Sequence, residues 1–296
     1  MAHVRLTDPF TLRSLCEWPV LIALLAVFGL AAFRAAVVPA DAELESAPAE
    51  LWTAIRVLLL IALAMAPLQF LTAVASMAAV PAAQALALTP QVMWQTRFGK
   101  ISLANAIVLL MLAATAFARR HSRVCAALIA AGAAAALAVH AAAGHAVDYG
   151  IAAIAVYFVH EAAAGLWIGA LAALYFLSRR TTRCWAACGP LVGRVSRLCG
   201  WCVAVLVASG VYIAWCGLGL SLDHLLYSAY GRTLLGKMSL FAILLAAGAY
   251  NRYWLVAQFN HAPARKALIR SVRAECLLMA AVVGLAVLLA NTPPSH

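Results

Sequence analysis

The stretch Tyr157–Leu174 reads YFVHEAAAGLWIGALAAL and decides the fold. His160 and Glu161 stand side by side in a run that is otherwise apolar. A span starting near Tyr149 places His160 roughly 16 Å down the helix axis, because an α-helix rises about 1.5 Å per residue. That is close to the middle of a hydrocarbon core about 30 Å thick. Ionisable groups at this depth are costly and usually face a bundle interior or a wet cavity.

The composition of the whole chain agrees with a membrane protein. Of its 296 residues, 66% are hydrophobic and only 10% are charged. Several segments have the length of about 20 apolar residues that a transmembrane helix needs. We therefore predict an all-α polytopic membrane helical bundle, with residues 1–296 forming a single transmembrane domain. The eight predicted spans are 18–38, 51–77, 98–118, 123–143, 149–178, 197–217, 233–258 and 272–290.

The net charge of +11 is explained by membrane topology rather than by nucleic-acid binding. Lys and Arg collect on the cytoplasmic side of bacterial membrane proteins. With eight spans, one side of the bundle carries 15 of the 21 basic residues and the other carries six, Arg5, Arg13, Arg97, Lys100, Arg232 and Lys237. We therefore expect both termini to face the periplasm. The acidic loop ADAELESAPAE then falls inside, but acidic residues weigh little in this rule.

Histidines in the outer half of the bundle are candidate metal ligands. His140 lies close to the outer end of the fourth span, His145 lies in the loop GHAVDYG, and His160 lies deeper. Counting from the helix ends places His140 about 5 Å deep and His160 about 16 Å deep. This difference in depth predicts two separate metal-binding sites, which we call stations, rather than one shared site. His3, in the sequence Met1-Ala2-His3, could bind Cu(II) together with the terminal amine.

Thioether groups fall at similar predicted levels and extend the candidate ligand set. They are Met65, Met279, Met238 and Met93, the last in a predicted outer loop. Imidazole and thioether ligands together favour copper, and thioether favours Cu(I). The alternative is that these methionines are apolar filler, which is the more frequent role of this residue.

Four cysteines, Cys184, Cys188, Cys199 and Cys202, flank the connection between the fifth and sixth spans. Thiols at such spacings can hold a soft metal. The alternative is that they are small buried hydrophobic residues.

Two further patterns concern helix packing. Gly165-x-x-x-Gly169 allows two helices to approach closely, and Trp167 lies one heptad beyond His160, roughly on the same face. Asn251 and Arg252 end the seventh span where Glu275 begins the eighth. We expect these polar residues to pair across the two helices as a structural clamp.

Taken in order, these motifs resemble the bacterial copper resistance D family. His160, Trp167 and Gly169 resemble its H-x(6)-W-x-G signature. Other matching segments run from the third span to the C terminus: Thr96-Arg97-Phe98-Gly99, Ser209-Gly210, Tyr230 to Lys237, Asn251-Arg252, Arg273-Ala274-Glu275 and Asn291 to Pro294.

The resemblance implies an eight-span protein of the bacterial inner membrane that moves copper towards the cytoplasm. It also implies a partner, a periplasmic copper-binding protein of the copper resistance C type. Of the central motif, His160, Trp167 and Gly169 carry over to this chain.

Three functions remain open on the sequence alone. The first is a copper permease that is not an enzyme. Nothing in the sequence suggests ATP hydrolysis, since it has no phosphate-binding glycine loop of the P-loop type. The second is a b-type cytochrome holding haem between His140 and His160. The third is a copper store or sensor that binds the metal without transporting it.

Overall fold

A computed structural model gives the fold and describes residues 9–37, 48–118, 122–178, 184–218, 222–258 and 262–292. Within these ranges all regular structure is helical. The α-helices are α1 (Pro9–Ala36), α2 (Pro48–Ala78), α3 (Ala82–Gln95), α4 (Arg97–Phe117), α5 (Arg123–Ala143), α6 (Ile151–Ser178), α7 (Cys184–Leu218), α8 (Leu222–Tyr227), α9 (Ala229–Tyr250) and α10 (Ala262–Asn291). A 3₁₀ turn (His145–Tyr149) precedes α6, and a π-helical turn (Asn251–Leu255) follows α9.

The prediction of eight membrane spans is confirmed. Eight of the described helices are long and apolar enough to cross a bilayer: α1, α2, α4, α5, α6, α7, α9 and α10. Large apolar side chains remain exposed along their outer faces, among them Leu60, Leu110, Leu128, Val211 and Leu277. Exposed apolar surface on this scale fits contact with lipid, because lipid-facing side chains need no protein cover.

The segment before the third span, expected to be an outer loop, instead contains the helix α3. Its apolar residues pack against α2 and α4 in a small separate cluster that includes Phe70 and Met93. Phe70 stacks on Phe98 with ring centroids 5.6 Å apart. The turn between α3 and α4 is fixed by Thr96, whose hydroxyl accepts a hydrogen bond from the Gly99 amide at 2.9 Å. Met93 therefore lies on a helix, and its placement in a loop was wrong.

Helix α1 lies at the centre of the bundle, in contact with α2, α5, α6 and α10. Helix α6 approaches α1 closely, and the two helices meet at glycines. A Cβ atom added to Gly29 would overlap the backbone of both Gly165 and Gly169. A Cβ on Gly165 would lie 2.9 Å from the Leu25 carbonyl oxygen. The small-residue motif of α6 therefore does allow close helix approach, and its partner is Gly29 of α1.

The first and last helices meet at one end of the bundle, which we call the terminal end. The Asn291 side-chain amide, near the end of α10, donates to Ser14 Oγ at 3.1 Å and to Glu17 Oε2 at 3.0 Å near the start of α1. Deeper in the bundle the Trp18 indole donates to the Ala280 carbonyl at 2.8 Å. Because successive spans alternate in direction, the starts of α1, α6 and α9 share this end with the ends of α5, α7 and α10. The opposite end is the far end.

Replacing Gly169 with alanine tests the glycine contact. The new methyl group would meet the Gly29 backbone, which cannot move aside as a flexible side chain can. We expect the free energy of unfolding to fall by about 1–3 kcal/mol, the usual cost of overpacking. The measurement is thermal unfolding in detergent followed by tryptophan fluorescence. Gly193→Ala is the matched control, since a Cβ there meets nothing within 4 Å. Equal melting of the two variants would contradict the packing argument.

Candidate functional site

Three ionisable side chains from three helices form a chain near the terminal end. His140 of α5 contacts Glu161 of α6 through Nδ1 at 2.8 Å, and it contacts Glu17 of α1 through Nε2 at 3.4 Å. Both carboxyl side chains are largely buried. A carboxylate can only accept hydrogen bonds, so the two contacts together describe an imidazolium that donates from both ring nitrogens. The chain Glu17–His140–Glu161 therefore ties α1, α5 and α6 together.

The Glu17–His140–Glu161 contacts correct the predicted depths of the histidines in the membrane. Counting residues from helix ends separated His140 from the His160–Glu161 pair, yet His140 touches Glu161 directly. The count assumed that α5 and α6 meet the membrane surface at the same level. The 3₁₀ turn His145–Tyr149 packs against both helices and separates their ends, so these ends are not a common reference.

Further polar residues surround Glu17, His140 and Glu161. Arg13 lies 3.8 Å from Glu17, one helical turn earlier on α1. Asn291 donates to the same carboxylate from α10. The charge of Lys237, on α9, acts on Glu161. Helices α1, α5, α6, α9 and α10 thus all contribute to one polar layer inside the bundle.

His160 faces a different partner from its neighbour Glu161. Its Nδ1 lies 2.8 Å from Ser209 Oγ on α7. The Ser209 hydroxyl donates to the Val205 carbonyl at 2.6 Å. Because a hydroxyl has one hydrogen, Ser209 then accepts from His160, which puts the imidazole proton on Nδ1. The lone pair of Nε2 is left for another partner.

Two atoms that could give a lone pair to a metal ion have no hydrogen-bond partner among the described residues. They are Nε2 of His160 and the buried Oε2 of Glu161. An imidazole whose second nitrogen is fixed by a hydrogen bond is the usual arrangement of a histidine metal ligand. His160 therefore has the chemistry of a ligand, whereas His140 has both nitrogens engaged by carboxylates.

Trp167 lies seven residues beyond His160 on α6, roughly 10 Å towards the far end. It is 3% exposed and meets the Phe241 ring of α9 edge to face at a centroid distance of 6.2 Å. Gly169, two residues further on, forms the contact with α1 described above. The residues of the central motif thus have three separate roles: a polar contact, an aromatic contact and a helix crossing.

The predicted clamp at the far end forms between Asn251 and Glu275, whereas Arg252 contacts α7 instead of Glu275. The Asn251 amide, in the π-helical turn, donates to Glu275 Oε1 of α10, and both side chains are buried. Arg252 donates to the Ser196 carbonyl of α7 at 3.1 Å. Its guanidinium also lies over the Tyr253 ring at 5.9 Å. These contacts join α7, α9 and α10.

The methionines are spread over different surroundings. Met279 is buried in the main apolar core, Met93 packs in the small cluster beside α3, and Met238 is 56% exposed. Met65 is half-buried on α2. No hydrogen bond joins these sulfur atoms to His160 among the described residues. Their role as ligands stays a prediction.

Several other predicted ligands lie outside what the structure describes. They are His3 and the side chains of His145, Cys184 and Cys188. Within the described part of the chain, no group of three or more His, Cys, Asp or Glu side chains is arranged to hold a metal. Glu17, His140 and Glu161 do not form one because the two carboxylates contact opposite nitrogens of the ring and do not converge on one point.

Glu17, Ser209 and Asn291 belong to the site but were missed as site residues. The signal for Glu17 was available, since it is a lone acidic residue entering an apolar run, as Glu161 is. Ser209 and Asn291 are short polar residues whose partners are 49 and 274 residues away, and sequence spacing alone does not reveal such contacts.

Two family models match the chain, and together they cover most of it. Residues 7–153 match the model described as copper resistance protein D-like, N-terminal domain. Residues 189–289 match the model described as copper resistance protein D. No curated protein and no solved structure matches the chain significantly.

Replacing His140 with leucine tests the carboxylate–imidazole chain. The change leaves Glu17 and Glu161 buried without their common partner. Removing one member of a buried ion pair typically costs about 3–5 kcal/mol. We expect a clear fall in melting temperature in detergent, and the double variant H140L/E161Q to recover part of it. A single variant as stable as the wild type would show that the contact contributes little to folding.

Proposed function

The chain belongs to the copper resistance protein D family, and from this premise we propose that it is a copper transport protein of the bacterial inner membrane. It moves copper from the periplasm towards the cytoplasm and so contributes to copper homeostasis and resistance. In this proposal it is not an enzyme. It receives copper from a separate periplasmic copper-binding protein of the copper resistance C type.

The observation that carries the proposal is the state of His160. Ser209 holds its Nδ1, which leaves Nε2 as a lone-pair donor inside the membrane-spanning bundle. Neutral imidazole is a common ligand for copper. The partnerless Oε2 of Glu161 is on the adjacent residue. With few protein donors, this layer suits an ion in transit, because a complete ligand shell would hold copper too tightly for release.

The polar layer at the terminal end offers charged and hydrogen-bonding groups to an ion that enters there. Glu17 and Glu161 supply two negative charges, and the cationic side chains Arg13, His140 and Lys237 lie beside them. The far end carries most of the basic residues, so the positive-inside rule supports a cytoplasmic far end. The terminal end then faces the periplasm, where the copper-donating partner would dock. The driving force in this scheme is a gradient or capture of the metal in the cytoplasm.

The cytochrome alternative needs His140 and His160 as two axial ligands of one haem. Both nitrogens of His140 already contact carboxylates, so haem ligation would break two buried contacts. This geometry favours copper over haem. A store or sensor would use the same His160 site and differs from a transporter only in flux.

Copper flux in liposomes tests the role of His160. We expect His160→Ala to abolish copper uptake, because the alanine supplies no donor atom. Ser209→Ala keeps the imidazole but loses the contact that fixes its tautomer and orientation. Loss of such an outer-shell partner typically lowers metal affinity or activity about 10–100-fold. His224→Ala is the matched control, since His224 lies on the short helix α8, which is not one of the eight membrane-spanning helices.

Two results would contradict the proposal. One is unchanged uptake in a well-folded His160→Ala variant, which would remove His160 from the pathway. The other is a Soret band in purified wild-type protein with little bound copper, which would favour the cytochrome. Copper binding that depends on His160 without any flux would indicate a store or sensor.

The proposed orientation has its own test. Alkaline phosphatase is active only after export, so we expect a fusion at the C terminus to be active. A fusion between α4 and α5, whose adjoining ends lie at the far end, is the control and should be inactive. The reverse pattern would show that the terminal end faces the cytoplasm.

A further inference from the structure

A cavity of about 210 Å³ lies in the far half of the bundle, between α6, α7, α9 and α10. Trp167 lines it, so it begins roughly 10 Å from His160 towards the far end. Most of its wall is apolar. Its polar lining includes Ser196, Cys199, Asn251, Arg252 and Glu275.

The contact between Asn251 and Glu275 leaves one oxygen atom in this wall without a partner. The amide nitrogen of Asn251 donates to Glu275, but Oδ1 of Asn251 is buried without a hydrogen-bond partner among the described residues. Asn251 is only 6% exposed. A buried carbonyl oxygen without a partner is costly. Its presence in the wall of a cavity points to a ligand that the cavity takes up.

Cys199 adds a soft donor to the same wall. Its thiol lies close enough to Glu275 for the two groups to interact electrostatically. Cys202, one turn along α7, is buried in the apolar core and does not line the cavity. Thiolate is a soft donor that suits Cu(I), as it does zinc and iron–sulfur clusters, and a nearby carboxylate supplies further negative charge.

We propose that this cavity is a second copper station, in which Cys199, Glu275 and Asn251 Oδ1 hold Cu(I) after it has passed Trp167. The inference rests on the proposed transport function and names the inner binding site of that pathway. When Cu(I) binds, a Cu–S bond forms at Cys199 and the thiol proton leaves to water, so the charge of the cavity does not change. No oxidation or reduction takes place in this step.

The surroundings of the station favour release. Arg252 lines the cavity from an exposed position, held by the Ser196 carbonyl. Its positive charge opposes that of the bound ion and weakens binding. A single thiolate with two oxygen donors is also a weaker site for Cu(I) than a pair of thiolates. Copper at this position can therefore pass to a cytoplasmic acceptor.

The test is an anaerobic Cu(I) titration of the full chain in detergent, in competition with a chromophoric Cu(I) chelator. We expect Cys199→Ser and Glu275→Gln each to bind one Cu(I) per chain fewer than the wild type. Glu275→Gln keeps an oxygen for the Asn251 amide and so preserves the helix contact. Cys202→Ser is the matched control and should bind as the wild type does. X-ray absorption should show a copper–sulfur contact that is lost in Cys199→Ser and retained in Cys202→Ser.

The outcomes separate this inference from the proposed function. If both cavity variants fold, judged by size-exclusion profile and melting temperature, and bind as much Cu(I) as the wild type, the station does not exist. If Glu275→Gln fails to fold, Cys199→Ser alone decides. Loss of copper uptake in His160→Ala together with unchanged binding in Cys199→Ser would overturn the station and leave the transporter. A Cys199-dependent ion in a protein without His160-dependent uptake would overturn the transporter and leave the site.

Discussion

The close contact of Gly29 with Gly165 and Gly169 sets the level at which the polar side chains of α1 and α6 face each other. The two helices run in the same direction from the terminal end. Glu17 lies twelve residues, roughly 18 Å, before Gly29, and Glu161 lies four residues, roughly 6 Å, before Gly165. The two carboxylates are therefore offset along the bundle axis, and His140 fills the gap between them. A side chain at any of these glycines would separate the helices and break the Glu17–His140–Glu161 contacts.

The same register orders the polar groups from the terminal end inwards. Asn291 and Glu17 come first, His140 and Glu161 follow, and His160 with Ser209 lies beside them. Trp167 and Phe241 then interrupt the polar groups with an aromatic contact. Beyond Trp167 the far-half cavity reaches Asn251 and Glu275. Two polar regions thus lie on opposite sides of one aromatic contact.

The sequence predicted the number of spans, the helix approach through Gly165 and Gly169, and the Asn251–Glu275 clamp. Each rests on a local property: apolar length, residue size, or the position of a polar residue at a span end. It missed α3, whose 14 residues are too short to span a membrane and are stabilised by packing against α2 and α4. It also misjudged the level of His140, because that level depends on how far each helix extends beyond its neighbour. Contacts such as His160–Ser209 depend on helix rotation, which residue spacing leaves undetermined.

The two polar regions share a common arrangement. In each, one atom of a polar side chain holds a neighbouring helix while another has no hydrogen-bond partner among the described residues. His160 uses Nδ1 for α7 and keeps Nε2, and Asn251 uses its amide nitrogen for α10 and keeps its carbonyl oxygen. The helix contact fixes the orientation of each side chain before any ligand arrives, so a ligand bound there would need little further ordering of the protein. Along the proposed copper pathway the candidate ligand changes from imidazole to thiolate, and thiolate is the softer of the two.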